Sequence, residues 1–143
     1  MDREDGGGVK ALGLLGQVVL PGEVASVPKA RHYVRDLLAV AGHAHHDDAL
    51  LLVTELVTNA VRHSRSGRPG GRVTVAVADC DGMLHITVID AGSADRRPRL
   101  RAEPDGAGGG GRGLWLVQEL SATWGWQEIP TGRAVWCQVP GVR

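Results

Sequence analysis

The sequence predicts an α+β domain, a two-layer sandwich in which helices cover one face of a mostly antiparallel sheet. The first observation is composition: 143 residues with 43% hydrophobic and 22% charged residues are typical of one globular domain with an ordinary core. The second is that apolar residues recur with a helical period in the first half of the chain and with a strand period after about residue 72. The third is that paired strand patterns joined by short turns occur twice, which favours antiparallel hairpins.

Charge and hydropathy exclude several function classes. Lys+Arg and Asp+Glu both total 16, so the formal net charge is zero, whereas a nucleic-acid binder needs a basic face. No apolar run is longer than 49–53, which is too short for a membrane span, and the acidic N-terminus lacks a signal-peptide pattern. We therefore expect a cytoplasmic protein without direct contact to nucleic acid or membrane. Residues 1–13 predict a weakly ordered tail that precedes a single domain over 14–143.

Two amphipathic helices are predicted in the first half of the domain. Residues 17–20 fit a short strand before them. Apolar residues at helical spacing predict the first helix over 26–41 and the second over about 47–63. The second helix has a polar stripe opposite its apolar face, formed by Thr54, Glu55, Thr58, Asn59 and Arg62.

Strand periodicity then replaces helical periodicity. Alternating runs over 73–78 and 84–88 are joined through Asp81 and Gly82, which is a strong hairpin signal. Residues 92–111 have no periodic pattern and are rich in Gly, Arg and Pro, which is typical of a disordered segment or a functional lid. The remaining predicted elements are a helix from Leu114 and strands over 123–129 and 134–139, joined by a turn over 130–133.

The cysteines and the clustered histidines predict no metal centre. Cys80 and Cys137 lie in predicted strands, where we expect buried free thiols. His43, His45 and His46 precede the second helix without a second cluster of ligands. We expect solvated loop histidines there rather than a zinc site.

Glu55 and Asn59 are the sharpest candidate pair. Four residues apart on a helix, they lie on one face and can address one ligand. A carboxylate can accept a proton from a nucleophile, and an amide oxygen can bind Mg²⁺. Spacing alone is more typical of a pair that simply faces solvent.

Two further segments could contact a nucleotide. The glycine-rich run over 106–113 precedes a predicted helix and could approach phosphates closely, although a flexible linker explains the run equally well. A dinucleotide-binding loop is excluded because no strand precedes these glycines. Asp90 ends a predicted strand and could accept the exocyclic amine of adenine, although a turn aspartate is the ordinary explanation.

Together these segments resemble the GHKL (Bergerat-fold) ATPases. Their N box resembles residues 55–63 (ELVTNAVRH), their G1 box resembles 88–92 (VIDAG), and their G2 box resembles 111–117 (GRGLWLV). The resemblance covers about residues 17–140, with the boxes in the family's order. It is strongest to stand-alone anti-sigma-factor serine kinase-like proteins of actinobacteria.

The resemblance implies a role for each position. Glu55 would be the general base, Asn59 the Mg²⁺ ligand, and Asp90 the acceptor of the adenine amine, with Gly92 leaving room for the base. A lid over about 93–112 would close on the phosphates. The other positions that the resemblance places around the nucleotide are Arg62, His63, Gly111, Arg112, Gly113 and Leu114.

Two departures from the family pattern concern the adenine site. Ser93 and Ala94 follow Gly92 where a second glycine is usual, and Ala134 stands where a supporting threonine is usual. Either change would weaken nucleotide affinity without abolishing it.

The resemblance implies an ATP- and Mg²⁺-dependent protein serine/threonine kinase. Its substrate would be an anti-anti-sigma (STAS) protein, with a sigma factor as a second candidate partner. Two alternatives stay open: a non-catalytic ATP-binding switch module and, less favoured, a detached sensor histidine kinase catalytic domain. A homodimer is compatible with the resemblance, and nothing in the sequence decides it.

Overall fold

The computed structural model describes residues 13–43, 46–64, 67–92 and 112–141, and in 112–115 it describes the backbone alone. The helices and strands are β1 (Leu14–Pro21), α1 (Ser26–Val40), α2 (Asp47–His63), β2 (Arg72–Cys80), β3 (Met83–Asp90), α3 (Arg112–Leu120), β4 (Thr123–Ile129) and β5 (Gly132–Pro140). The predicted tail lies outside the described residues, apart from Gly13.

The strands form one five-stranded sheet in the order β1-β2-β3-β5-β4. Every neighbouring pair is antiparallel, so the predicted α+β sandwich is confirmed. Asp81 and Gly82 connect β2 to β3 with φ of 53° and 85°, the left-handed conformation that a two-residue hairpin turn requires. β4 and β5 form a second hairpin that closes at the pair Ile129 and Gly132.

The core lies between the sheet and the three helices. Strand alternation directs one set of side chains toward the helices, and α2 packs against α1, α3 and β3. The largest fully buried side chains include Leu38, Leu52, Leu56, Leu84, Ile86, Val53, Val57, Val73, Val75 and Val77. Because α2 lies at the centre of the helical layer, its apolar side is buried and its polar stripe faces away from the core.

The opposite face of the sheet carries an aromatic pair. His85 of β3 stacks on Trp136 of β5 with ring centroids 5.4 Å apart and an interplanar angle of 19°. Nδ1 of His85 lies 3.1 Å from the side-chain nitrogen of Gln138. Burial lowers the pKa of His85, because desolvation disfavours the charged ring.

The prediction of solvated histidines before α2 is wrong for both described members. His43 is fully buried and its Nε2 lies 3.1 Å from Oδ2 of Asp79. His46 is buried as well: its Nε2 donates to the carbonyl of Pro140 at 2.8 Å, and its Nδ1 accepts the N–H of Ala49 at 3.2 Å. His46 is therefore the N-cap of α2, and protein groups replace the water that the prediction assigned to these rings. His45 lies outside the described residues.

Several element boundaries differ from the prediction. β1 is longer than 17–20, and α3 begins two residues before Leu114. β5 begins at Gly132, so Arg133 belongs to the strand and not to the preceding turn. Within the described ranges, no helix is both long enough and apolar enough to cross a bilayer.

The prediction of buried free thiols is confirmed. Cys80 and Cys137 are both free and buried. Burial raises the pKa of the Cys137 thiol to about 12. Burial, assisted by the charges of Asp79 and Asp81, also raises the pKa of Cys80.

Candidate functional site

The polar stripe of α2 carries the candidate pair. The N-cap of this helix, His46, is bonded to the carbonyl of Pro140, and Pro140 pairs with Met83 at the start of β3. Glu55 and Asn59 lie one turn apart on this helix, and both are half-buried. The helix closes with exposed Arg62 and half-buried His63.

Asp90 is a buried carboxylate at this end of the sheet. Its side chain is only 6% exposed, and Oδ1 accepts the backbone N–H of Gly92 at 2.6 Å. Desolvation raises the pKa of Asp90, while the bond from Gly92 and the charge of Arg133 act in the opposite direction. A buried carboxylate with a cationic neighbour is an arrangement that recurs at ligand sites.

Gly92 has a backbone conformation that L side chains rarely adopt, with φ of +73°. A Cβ at this position would lie 3.5 Å from the backbone of Gly132. At Gly132 itself, where φ is +149°, a Cβ would collide with the carbonyl of Asp90. Both glycines keep the backbone of this end close-packed, so that a flat ligand could approach Asp90 without meeting a side chain.

Arg133 is the residue of this end that the sequence reasoning missed. It pairs with Asp90 across β3 and β5 and with Glu128 across β5 and β4. Its guanidinium nitrogen lies 3.5 Å from Oε2 of Glu128, and its Cζ lies 5.2 Å from the ring centroid of Trp126. The residue is only 4% exposed. We call Asp90, Arg133 and Glu128 the charged row.

The signal for Arg133 was present in the strand alternation. Arg133, Val135 and Cys137 occupy every second position, and the latter two are buried in the core, so Arg133 shares their face. Ala134 pairs with Ile89 and lies on the opposite face. The comparison of Ala134 with a supporting threonine therefore concerns a position that points away from Asp90.

The predicted phosphate-binding residues are described only in part. Gly111 and nearly all of the predicted lid, including Ser93 and Ala94, lie outside the described residues. Arg112, Gly113 and Leu114 form the first turn of α3. After α3 ends, the N–H of Ala122 donates to the carbonyl of Gln138 at 2.8 Å, toward the far end of β5. The segment that follows α3 is thereby attached near the end of β5 opposite to Arg133.

The acidic side chains of the described ranges do not form a ready-made metal cage. No group of three or more His, Cys, Asp and Glu side chains with metal-binding proximity occurs among them. A cation near Asn59 would therefore complete its coordination with ligand phosphates and water, which is the way Mg²⁺ is commonly bound beside nucleotides.

Comparison with known proteins places these features in one family. The model of the histidine kinase-like ATPase domain matches residues 20–139 of this chain. The anti-sigma F factors of Geobacillus stearothermophilus and Geobacillus kaustophilus (strain HTA426) are each 35% identical over 60 residues, which is 38% of this chain and 41% of the relative. The chain thus spans about two-fifths of the length of the curated relatives it matches.

Proposed function

This chain belongs to the histidine kinase-like ATPase domain family, and from that premise we propose that it is an ATP- and Mg²⁺-dependent protein serine/threonine kinase. Its proposed substrate is an anti-anti-sigma (STAS) protein, and its regulatory output is partner switching with a sigma factor. The observation that supports the proposal is the buried Asp90 carboxylate at the end of β3, which accepts the N–H of Gly92 and lies beside the close-packed backbone of Gly92 and Gly132.

Asp90 supports recognition of adenine. Oδ1 already accepts the N–H of Gly92, so Oδ2 is the oxygen that we expect to accept the exocyclic amine. An ionised carboxylate has hydrogen-bond acceptors and no donor, whereas guanine presents a carbonyl, which is also an acceptor, at the position of the adenine amine. The site should therefore prefer ATP to GTP.

Asn59 and Glu55 support the transfer step. Asn59 would contribute one oxygen ligand to Mg²⁺, with phosphate oxygens and water as the others. The substrate hydroxyl oxygen would attack the γ-phosphorus, and the bond from that phosphorus to the β–γ bridging oxygen would break, releasing ADP. Glu55 would accept the hydroxyl proton. Such a transfer depends mainly on positioning and on neutralising charge.

The partner class is supported by the relatives. Both are named anti-sigma F factor, and a protein of that class acts on the control of a sigma factor. The neutral overall charge fits a protein partner better than a nucleic acid.

Phosphoryl transfer from labelled ATP to a purified anti-anti-sigma (STAS) protein tests the proposal. Glu55→Ala should lower transfer by about 10²-fold or more, the usual size of a general-base contribution, while ATP affinity changes within a few-fold. Glu119→Ala is the matched control, because Glu119 is an exposed carboxylate on α3. Asn59→Ala should instead remove the Mg²⁺ dependence of ATP binding.

Each other outcome has a defined meaning. Acid-labile histidine phosphate on the partner would replace the proposal by a sensor-kinase activity. ATP binding without transfer would leave a switch module, and full transfer by Glu55→Ala would remove Glu55 as the base.

A further inference from the structure

The charged row crosses three strands at the Asp90 end of the sheet. Arg133 lies between two carboxylates, with Asp90 as its register partner on one side and Glu128 on the other. Directly opposed residues of an antiparallel pair have their Cβ atoms about 4.5–5.5 Å apart. Arg133 is thus the cross-strand neighbour of the residue to which the adenine amine is assigned, and its positive charge acts on that carboxylate.

Arg133 is held from two sides. Its side chain is 4% exposed, and a buried charge is stable only where opposite charges and hydrogen-bond partners compensate its lost hydration. Glu128 provides a carboxylate 3.5 Å away. Trp126 lies under the guanidinium at 5.2 Å, a cation–π geometry. These contacts restrict where the guanidinium can lie, and therefore where its charge acts.

Other charged groups lie on the neighbouring elements. The helix α2 carries Glu55, Arg62 and His63, and the start of β2 carries exposed Arg72. The charge of Arg133 lowers the pKa of Asp90 against the effect of burial. Together with the cross-strand register, this effect links Arg133 to Asp90.

We propose that Arg133 is a positioning residue of the nucleotide site: held by Glu128 and Trp126, its guanidinium supplies the counter-charge that fixes the Asp90 carboxylate for the incoming base. This inference rests on the proposed function for its ligand. It also makes a statement about the protein alone, namely that Arg133 controls the protonation of Asp90.

The statement about the protein alone is tested without nucleotide. NMR titration of the Asp90 carboxyl carbon in the full chain compares the unmodified protein with Arg133→Met and Arg133→Lys. The pKa of Asp90 should rise in Arg133→Met and stay close to the original value in Arg133→Lys, which keeps the positive charge. An unchanged pKa in a folded Arg133→Met protein would overturn the inference. If that variant does not fold, Glu128→Gln, which removes only the exposed partner, should still shift the Asp90 titration.

The second measurement is the affinity for Mg²⁺-ATP across mildly acidic to neutral pH. Arg133→Met should weaken binding roughly tenfold, as expected for loss of a charge-assisted contact. As the pH is lowered, the variant should also lose ATP binding at a higher pH than the unmodified chain does. A purely structural role would lower affinity equally at all pH values. The double variant Asp90→Asn with Arg133→Met should bind no more weakly than Asp90→Asn alone, because the two residues act through one contact.

The two proposals fail in different ways. If the unmodified chain does not bind ATP, the nucleotide proposal is wrong, and the carboxyl titration still decides whether Arg133 controls Asp90. If ATP binds normally and the titration is unaffected by Arg133→Met, the positioning role alone is wrong.

Discussion

The two ends of β3 hold buried polar groups that are used differently. Near the start of β3, the histidine end consists of His43, His46 and Asp79; near its finish, the carboxylate end consists of the charged row. At the histidine end, the bonds join segments far apart in sequence: His43 to Asp79, and His46 to Pro140. At the carboxylate end, Asp90 bonds to Gly92, two residues away, and its other partner is a charge on the neighbouring strand.

The difference separates stability from binding. The histidine end ties the α1–α2 connection to β2 and to the end of β5, so its hydrogen bonds hold the fold together. The carboxylate end places a desolvated acid beside a fixed cation. Burial of these charges costs folding stability unless a hydrogen-bonding or charged partner, such as a ligand, compensates it. Polar burial of this second kind is more typical of a ligand site.

The largest effect is expected at the histidine end. His43→Ala should lower the free energy of unfolding by roughly 2–5 kcal/mol, the range for large-to-small substitutions in a core, because it removes a fully buried ring and leaves Asp79 without this partner. Urea denaturation measures the loss. His32→Ala is the control, since His32 is exposed on α1, and ATP affinity well below the unfolding transition should stay the same. A stable His43→Ala protein with impaired ATP binding would reverse the comparison.

The next effect belongs to the carboxylate end. Asp90→Asn should weaken ATP binding by about 1.5–3 kcal/mol, the value of a hydrogen bond to a charged group, with little loss of folding stability. Calorimetry with ATP and GTP checks both the loss and the preference for ATP. Equal affinity of the unmodified chain for the two nucleotides would remove Asp90 as the purine-reading residue.

His85 offers a pH test that involves neither end. Because burial lowers the pKa of His85 in the folded protein, the unfolded chain binds a proton at this residue more readily. The neutral ring therefore contributes fully to folding stability above the ordinary histidine pKa. This contribution is lost as the pH falls through the lowered pKa of the folded state. His85→Phe keeps a ring against Trp136 but cannot bind the proton. The free energy of unfolding of this variant should therefore fall less steeply with decreasing pH, by less than about 1.4 kcal/mol per pH unit, which is the slope for one proton. Thermal melts over a pH series measure it. An identical slope in both proteins would assign the acid sensitivity to other groups.

The smallest effect is a labelling rate. Cys80 is 9% exposed and next to Asp79 at the histidine end, whereas Cys137 is fully buried. Since thiolates are the reactive form and burial raises the pKa of both thiols, an alkylating reagent should modify Cys80 slowly and Cys137 only after unfolding. His43→Ala should accelerate labelling of Cys80 more than that of Cys137. Equal acceleration at both thiols would indicate global rather than local opening.

Local signals were sufficient for most of the fold. The bounds of α2 follow from an unbroken helical period, and the β2–β3 turn follows from Asp81 and Gly82, whose positive φ values fit that dipeptide. The pairing of β3 with β5 could not be predicted, because no local pattern selects one partner strand over another. The burial of His43 could not be predicted for the same reason, because its partner Asp79 lies 36 residues away.

The candidate site likewise contains residues that local sequence signals locate and one that only the assembled sheet reveals. The sequence placed Glu55 and Asn59 on one helical face, and the structure shows both there, half-buried; their roles stay predictions. Pro130, Thr131 and Gly132 predict a turn that includes Arg133, which the structure places in β5. Its function depends on Asp90 and Glu128, which only the assembled sheet brings beside it.

The order of the strands also has a consequence for the folding pathway. The β2–β3 and β4–β5 hairpins are local, and such units form in about 1–10 μs. The β3–β5 ladder must close the long segment between Asp90 and Arg133, with an entropic cost that rises with the logarithm of its length. The Arg133–Glu128 pair forms within the β4–β5 hairpin, whereas Asp90 and Arg133 come together only as the two hairpins dock. The electrostatic interaction between Asp90 and Arg133 therefore affects how quickly the docked sheet comes apart, and hardly affects how quickly either hairpin forms.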